Sequence, residues 1–167
     1  MYLHKYCARP TATAIDTGQA DVAVVAYDPP GRHFVAREIA AYPQMLVIGV
    51  DHLLAARKRL RLADLAGLDL VVPPPNRPHR RSLERALLDA GVPWQPVAES
   101  DGWDLLVHFA SLGIGATVVN GCVELPPGLT GVPIGDLPRV RYWAAWRKQR
   151  QPRALAFLAE CAGHGGE

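Results

Sequence analysis

Ser100–Val119, SDGWDLLVHFASLGIGATVV, joins a helical pattern to a strand pattern across two glycines. It opens on a serine able to cap a helix and runs through an amphipathic segment in which Leu105, Phe109 and Leu112 recur at helical spacing. It then breaks at Gly113 and resumes as the β-branched run Ile114–Val119. The pattern predicts a helix feeding a buried strand across one tight turn. Gly113 reads as the C-cap and Gly115 as a place where helix and strand backbones approach closely. Such a unit belongs to an α/β protein in which helices cover a mostly parallel sheet.

Moving upstream, Leu68–Val72 reads as a strand and Pro73–Pro78, PPPNRP, as a rigid loop, because three consecutive prolines donate no sheet hydrogen bonds. Ser82–Ala90 reads as a helix capped by Ser82, with Leu83, Ala86, Leu87 and Ala90 on one face and Gly91 at its end. Val92–Glu99 supplies an extended segment, so strand, helix, strand, helix and strand follow one another from Leu68 to Val119. Further strands are expected at Tyr2–Cys7, Asp21–Ala26, Met45–Val50 and Tyr142–Trp146. Short helices are expected at Ala12–Gly18, His52–Ala56 and Leu62–Leu65. Arg153–Cys161 reads as a closing helix and Gly163–Glu167 as a fraying tail.

Composition bounds the class. The 167 residues are 49% hydrophobic and 20% charged, which is globular, while fifteen glycines and fifteen prolines call for many loops. Eighteen basic against sixteen acidic side chains leave a formal charge of +2, too small to imply nucleic acid, although arginines cluster at Arg57–Arg61, Arg77–Arg85 and Arg139–Arg153. No helix-turn-helix, zinc finger or stacking platform accompanies those clusters. Cys7, Cys122 and Cys161 form no disulfide framework and fit a reducing cytoplasm. No apolar run has the length of a membrane span.

Ligand sites in open α/β sheets lie beyond the carboxyl ends of strands, where helix N-termini converge. Two places meet that condition. In the first, Asn76 and Arg77 precede a helix, where backbone N–H groups and a guanidinium fork can hold a carboxylate or phosphate. Arg80 and Arg81 beside them read as a solvated first turn. In the second, Ser100 caps or contacts a ligand, Glu99 and Asp101 accept hydrogen bonds, and Trp103 stacks on a ring or packs against a neighbouring lobe.

Catalytic and metal signals are thin. His108, Glu99 and Asp101 supply acid and base chemistry, but no positioned nucleophile accompanies them. His4 with Cys7 and Cys161 with His164 form isolated ligand pairs. No phosphate loop occurs, and the Gly113–Gly115 motif follows a helix, the wrong context for a dinucleotide. No cofactor or metal is expected.

The order of motifs resembles the effector-binding, or substrate-binding, domain of LysR-type transcriptional regulators. The matching pieces are GQADVAVV at Gly18–Val25, DHLLA at Asp51–Ala55, LADLAGLDLVV at Leu62–Val72, RRSLERALLDAGV at Arg80–Val92 and ES at Glu99–Ser100. LVHFASLGIGATVV at Leu106–Val119, VPIGD at Val132–Asp136 and RALAFLAEC at Arg153–Cys161 complete the set. The resemblance implies a periplasmic-binding-protein-like fold of two small lobes: 1–26 with 133–162 as the first, 34–119 as the second, and crossovers at 27–33 and 120–132. It implies a small, anionic or aromatic effector between lobes, with Asn76, Arg77, Ser100 and Trp103 as the second lobe's contribution, and a homodimer as the working form.

The family's DNA-binding region and the usual first strand and helix of the domain have no counterpart in the matched motifs. The chain alone is therefore expected not to bind an operator, and the first lobe is expected to be incomplete. Two other readings stay open: an enzyme reusing the scaffold, with Arg77 as anion clamp and His108, Glu99 or Asp101 as acid or base on a small carboxylated substrate, and a protein-interaction module without ligand.

Overall fold

The computed structural model describes residues 13–29, 31–150 and 154–158. The strand expected at Tyr2–Cys7, the tail at Gly163–Glu167, and His4, Cys7, Cys161 and His164 lie outside those residues. Two compact units are present. One comprises the described residues up to Tyr42 and from Val140 onward; the other is Pro43–Arg139.

The first unit is built on three strands, β1 (Ala23–Ala26), β2 (Val35–Tyr42) and β8 (Val140–Trp146), in the order β1-β8-β2 with both pairs antiparallel. The register places Ala23 opposite Ala145 and Val35 opposite Trp146, with an irregularity between Glu38 and Ala40. Alternation sorts the side chains between the two faces. Val22, Ala144 and Trp146 pack with Ala154, Phe157 and Leu158 of the helical segment 154–158, while Ile15 joins Ala23 and Ala145 in a second cluster. Tyr27 turns the chain after β1 at φ +76°, and its carbonyl accepts from Trp143 Nε1 at 3.1 Å.

The second unit is a five-stranded sheet in the order β5-β4-β6-β3-β7. Its strands are β3 (Gln44–Gly49), β4 (Asp69–Val72), β5 (Gln95–Glu99), β6 (Ala116–Asn120) and β7 (Leu129–Pro133). Strand β4 runs parallel to β5 and β6, and β3 runs antiparallel to β6 and β7. Parallel pairing is thus confined to the strands joined by helices, as crossover connections require.

Helix α1 (Pro78–Asp89) buries Leu83 and Leu87 against Leu46, Leu70, Val72 and Val118, and helix α2 (Trp103–Ser111) lays Val107 and Ala110 against Val47 and Val119 on a separate cluster. Each fully buried leucine contributes about 2 kcal/mol of transfer free energy.

Several expectations are corrected. The chain passes from one unit to the other at Tyr42–Pro43 and Arg139–Val140, rather than within 27–33 and 120–132. Strand β2 hydrogen-bonds β8, and β7 hydrogen-bonds β3, so both stay with the sheet they complete. Helix α1 starts at Pro78 rather than Ser82, because a proline at the first helical position needs no donor and has φ preset for the helix.

The buried face of α2 is also rotated from the expected one: Leu105 and Leu112 are exposed, and Leu106, Val107 and Ala110 are buried. The segment WDLLVHFA is apolar over more than one face, and the sheet takes the stripe whose smaller residues, Val107 and Ala110, admit the closest approach.

Of the two glycines in Ser100–Val119, Gly113 acts as the expected helix end, whereas the close approach at Gly115 is made to strands rather than to the helix. Gly113 sits at φ +72°, a left-handed conformation that ends the helix. A Cβ on Gly115 would lie 2.7 Å from the Asp69 carbonyl oxygen and 3.0 Å from Val97 Cγ2, so the close approach is between this turn and the neighbouring strands β4 and β5.

Candidate functional site

Because β4 and β5 are parallel neighbours, the loops that leave their carboxyl ends lie side by side. After Val72 the chain runs through Pro73–Pro75 to Arg77, which is extended (φ −83°, ψ 136°) and immediately precedes α1. After Glu99 it runs through Ser100 to Gly102, whose φ of +97° starts α2. Ser100 therefore does not cap the helix through its side chain; Gly102 holds the N-cap position. Instead the Ser100 backbone N–H donates to the Val72 carbonyl at 3.1 Å and ties the two loops at their roots.

Side chains complete the junction. Arg77 pairs with Asp101 across the loops. Arg80, expected on a solvated turn, is 4% exposed. Its guanidinium donates to Glu84 at 2.7 Å, to the Pro73 carbonyl at 3.0 Å and to Glu99 at 3.2 Å, and it lies over the Trp94 ring at 4.8 Å. One buried cation thus fastens α1, the loop after β4 and the end of β5. Its cost of desolvation is met by two carboxylates, a carbonyl and a π face. Arg81 remains exposed and donates to the Asn76 carbonyl at 3.0 Å.

Beneath this junction sits His79, 4% exposed, with Nε2 2.7 Å from the Val118 carbonyl oxygen. A carbonyl only accepts, so Nε2 carries the hydrogen. Burial lowers the imidazole from 6.5 to about 4, against the opposing effect of that hydrogen bond. Trp103 meets the His79 ring edge to face, centroids 4.8 Å apart and planes at 77°. Trp103 is half-buried and also packs against the cluster under α2.

The structure therefore brings Asn76, Arg77, Ser100 and Trp103 to the carboxyl end of one sheet. It does not assemble the acid–base set: Glu99 is engaged by Arg80, Asp101 by Arg77, and His108 stands exposed on α2. Among the described residues, no group of three or more His, Cys, Asp or Glu side chains converges as metal ligands would. The residues missed from sequence are His79, Arg80 and Trp94. The Arg80–Glu84 spacing of four residues was the available signal for the first of the arginine's pairs.

The fold is an α/β domain in which the two loops carrying the candidate residues leave the carboxyl ends of adjacent parallel strands. Comparison with known proteins gives the family. Residues 10–166 match the LysR substrate binding domain, and the chain belongs to that family. It is 32% identical over 147 residues to the HTH-type transcriptional regulator CbbR of Xanthobacter flavus, covering 83% of this chain and 44% of that protein.

Among solved structures it is similar to HinK, a LysR family transcriptional regulator from Pseudomonas aeruginosa (TM-score 0.80, 14% identity, 98% of this chain and 60% of that one). It is likewise similar to the BenM effector binding domain with its effector benzoate (TM-score 0.76, 16% identity, 96% and 75%). The Synechocystis PCC6803 CcmR regulatory domain in complex with 2-PG is a third such structure (TM-score 0.76, 15% identity, 93% and 78%). The chain spans less than half the length of CbbR. It is an effector-binding domain of the LysR type, and the relatives named here are transcriptional regulators or their regulatory and effector-binding domains. No helix among the described residues is long and apolar enough to cross a membrane.

Proposed function

We propose that this chain senses a small anion, a carboxylate or phosphate, held by Arg77 and Asn76 from the loop after β4 and by Ser100 and Trp103 from the loop after β5. The observation that carries the reading is the lateral junction of those loops: Arg77–Asp101 and Arg80–Glu99 join them at one end of the sheet, with α1 and α2 both beginning there. Arg77 supplies a planar donor fork, the helix starts supply backbone N–H groups, and Trp103 supplies an apolar edge for a ring. Benzoate, the effector named with BenM, is a carboxylate and fits the same ligand chemistry.

Isothermal titration of the chain with benzoate and with inorganic phosphate tests the reading. Arg77→Ala weakens whichever anion binds by about ten-fold, the order expected for a charge-assisted hydrogen-bonded pair. Unchanged affinity removes Arg77 from the site.

The chain's partners are part of the same proposal. Much of the arginine charge is used internally: Arg57 pairs with Asp64 at 3.0 Å, Arg59 donates to the Gly135 carbonyl at 2.9 Å, and Arg80 is engaged as above. That supports a chain that contacts no operator by itself. Leu105, Leu112 and Ile114 are 50%, 60% and 42% exposed, an apolar stripe of the kind that self-association covers. A homodimer using this stripe dissociates in sedimentation velocity when Leu105 and Leu112 are both replaced by Glu; an undiminished dimer places the interface elsewhere.

A further inference from the structure

The pair that marks the junction also works against the ligand it would receive. Arg77 and Asp101 are 33% and 57% exposed, so water and salt reach both. Around them Arg77, Arg80 and Arg81 stand against Glu84, Glu99 and Asp101, and the arginines are already engaged: Arg77 by Asp101, Arg80 by Glu84 and Glu99, Arg81 by the Asn76 carbonyl. This end of the sheet therefore offers an incoming anion little net field. The guanidinium that the ligand needs is occupied by a carboxylate of the chain itself.

Arg80 cannot substitute for Arg77. It is buried, its donors are directed at Pro73, Glu84 and Glu99, and moving it would strip a carbonyl and two carboxylates together. Asp101 can give way. It lies in the short turn between β5 and α2, is more than half exposed, and loses little when it swings into water.

We propose that Asp101 is an internal competitor for Arg77, a carboxylate that any anionic effector must displace and that thereby sets the affinity and salt dependence of the site. The inference rests on the reading of Arg77 as the anion clamp. An exposed ion pair is a weak opponent, so the displacement reduces affinity by about two- to five-fold at low ionic strength. Salt screens the competitor along with the ligand, so the difference made by Asp101 shrinks as ionic strength rises.

The experiment is a titration of benzoate and of inorganic phosphate into the wild-type chain, Asp101→Asn, Arg77→Ala and Asp104→Asn, at low and high salt. Asp104 is an exposed acid in the first turn of α2 and serves as the control for a general change of charge. Asp101→Asn is expected to tighten the anion about two- to five-fold at low salt, with a clearly smaller gain at high salt. Asp104→Asn is expected to change affinity by less than half as much. The Nε–H resonance of Arg77 is expected to shift in Asp101→Asn and to lose that difference once anion is saturating.

Equal tightening by Asp101→Asn and Asp104→Asn assigns the effect to the general field and overturns the proposal, as does unchanged or weaker binding in Asp101→Asn. Failure of Asp101→Asn to bind either anion also overturns it. If Arg77→Ala binds as well as wild type, the clamp reading itself fails and the competitor with it. If Arg77→Ala weakens binding and Asp101→Asn does not tighten it, the clamp stands and only the competitor falls.

Discussion

His79 shows how a single side chain links the site to stability. Buried and donating to the Val118 carbonyl, it is neutral in the folded chain, with its pKa lowered from 6.5 to about 4. Between those values the unfolded chain binds a proton that the folded chain does not, so stability rises with pH there. The contribution is complete above pH 6.5 and is lost as pH falls toward 4; it amounts to something on the order of 3 kcal/mol. Denaturant unfolding across that interval is predicted to show a steeper pH dependence for wild type than for His79→Gln; parallel curves would contradict the burial argument.

Arg80 makes a second prediction at this scale. Arg80→Met keeps an apolar stem but takes the cation from over the Trp94 ring, strips the Pro73 carbonyl of its partner and frees Glu84 and Glu99. It is predicted to destabilise the chain by about 2 kcal/mol, measurable as a shift of the denaturation midpoint. A shift within error would mean that water replaces the guanidinium without loss.

Elements are held by register and by close approach. Gly115 lets the turn after α2 pass the Asp69 carbonyl, and Gly115→Ala is predicted to cost about 1–3 kcal/mol by overpacking at a contact made with backbone. The rotation of α2 gives a paired test. Leu106→Ala is predicted to cost about 2–5 kcal/mol as a core truncation, whereas Leu105→Ala changes monomer stability by no more than about 0.5 kcal/mol. Reversed magnitudes would restore the face that spacing alone suggested.

What was legible in the sequence follows the same logic. The run from Leu68 to Val119 announced its strands because both faces of the central strands are buried and their residues are almost all apolar. Strand β2 was not legible, since Arg37 and Glu38 interrupt its apolar pattern, and β7 carries a glycine and a proline that only an edge strand tolerates. The loops at Asn76–Arg77 and Glu99–Trp103 were found from proline, capping and charge. The burial of Arg80 and the pairing of Arg77 with Asp101 were not, because they depend on which strands are parallel neighbours.

At the scale of the whole molecule, the chain enters the second unit at Pro43 and leaves it at Arg139, so the five-stranded sheet, both helices and the candidate anion site lie on one continuous stretch. Its core is dominated by Leu46, Leu60, Leu65, Leu70, Leu83 and Leu87, each fully buried, and this unit presents the loop pair. On the function proposed above, a small anion binds at that loop pair. Backbone amide shifts of the isotopically labelled chain, followed during titration with benzoate, test it most directly. The predicted result is a saturable set of shifts centred on residues 74–77 and 99–103 whose titration midpoint rises about ten-fold in Arg77→Ala. Saturable shifts that leave those two segments unmoved, or that persist unchanged in Arg77→Ala, would contradict it.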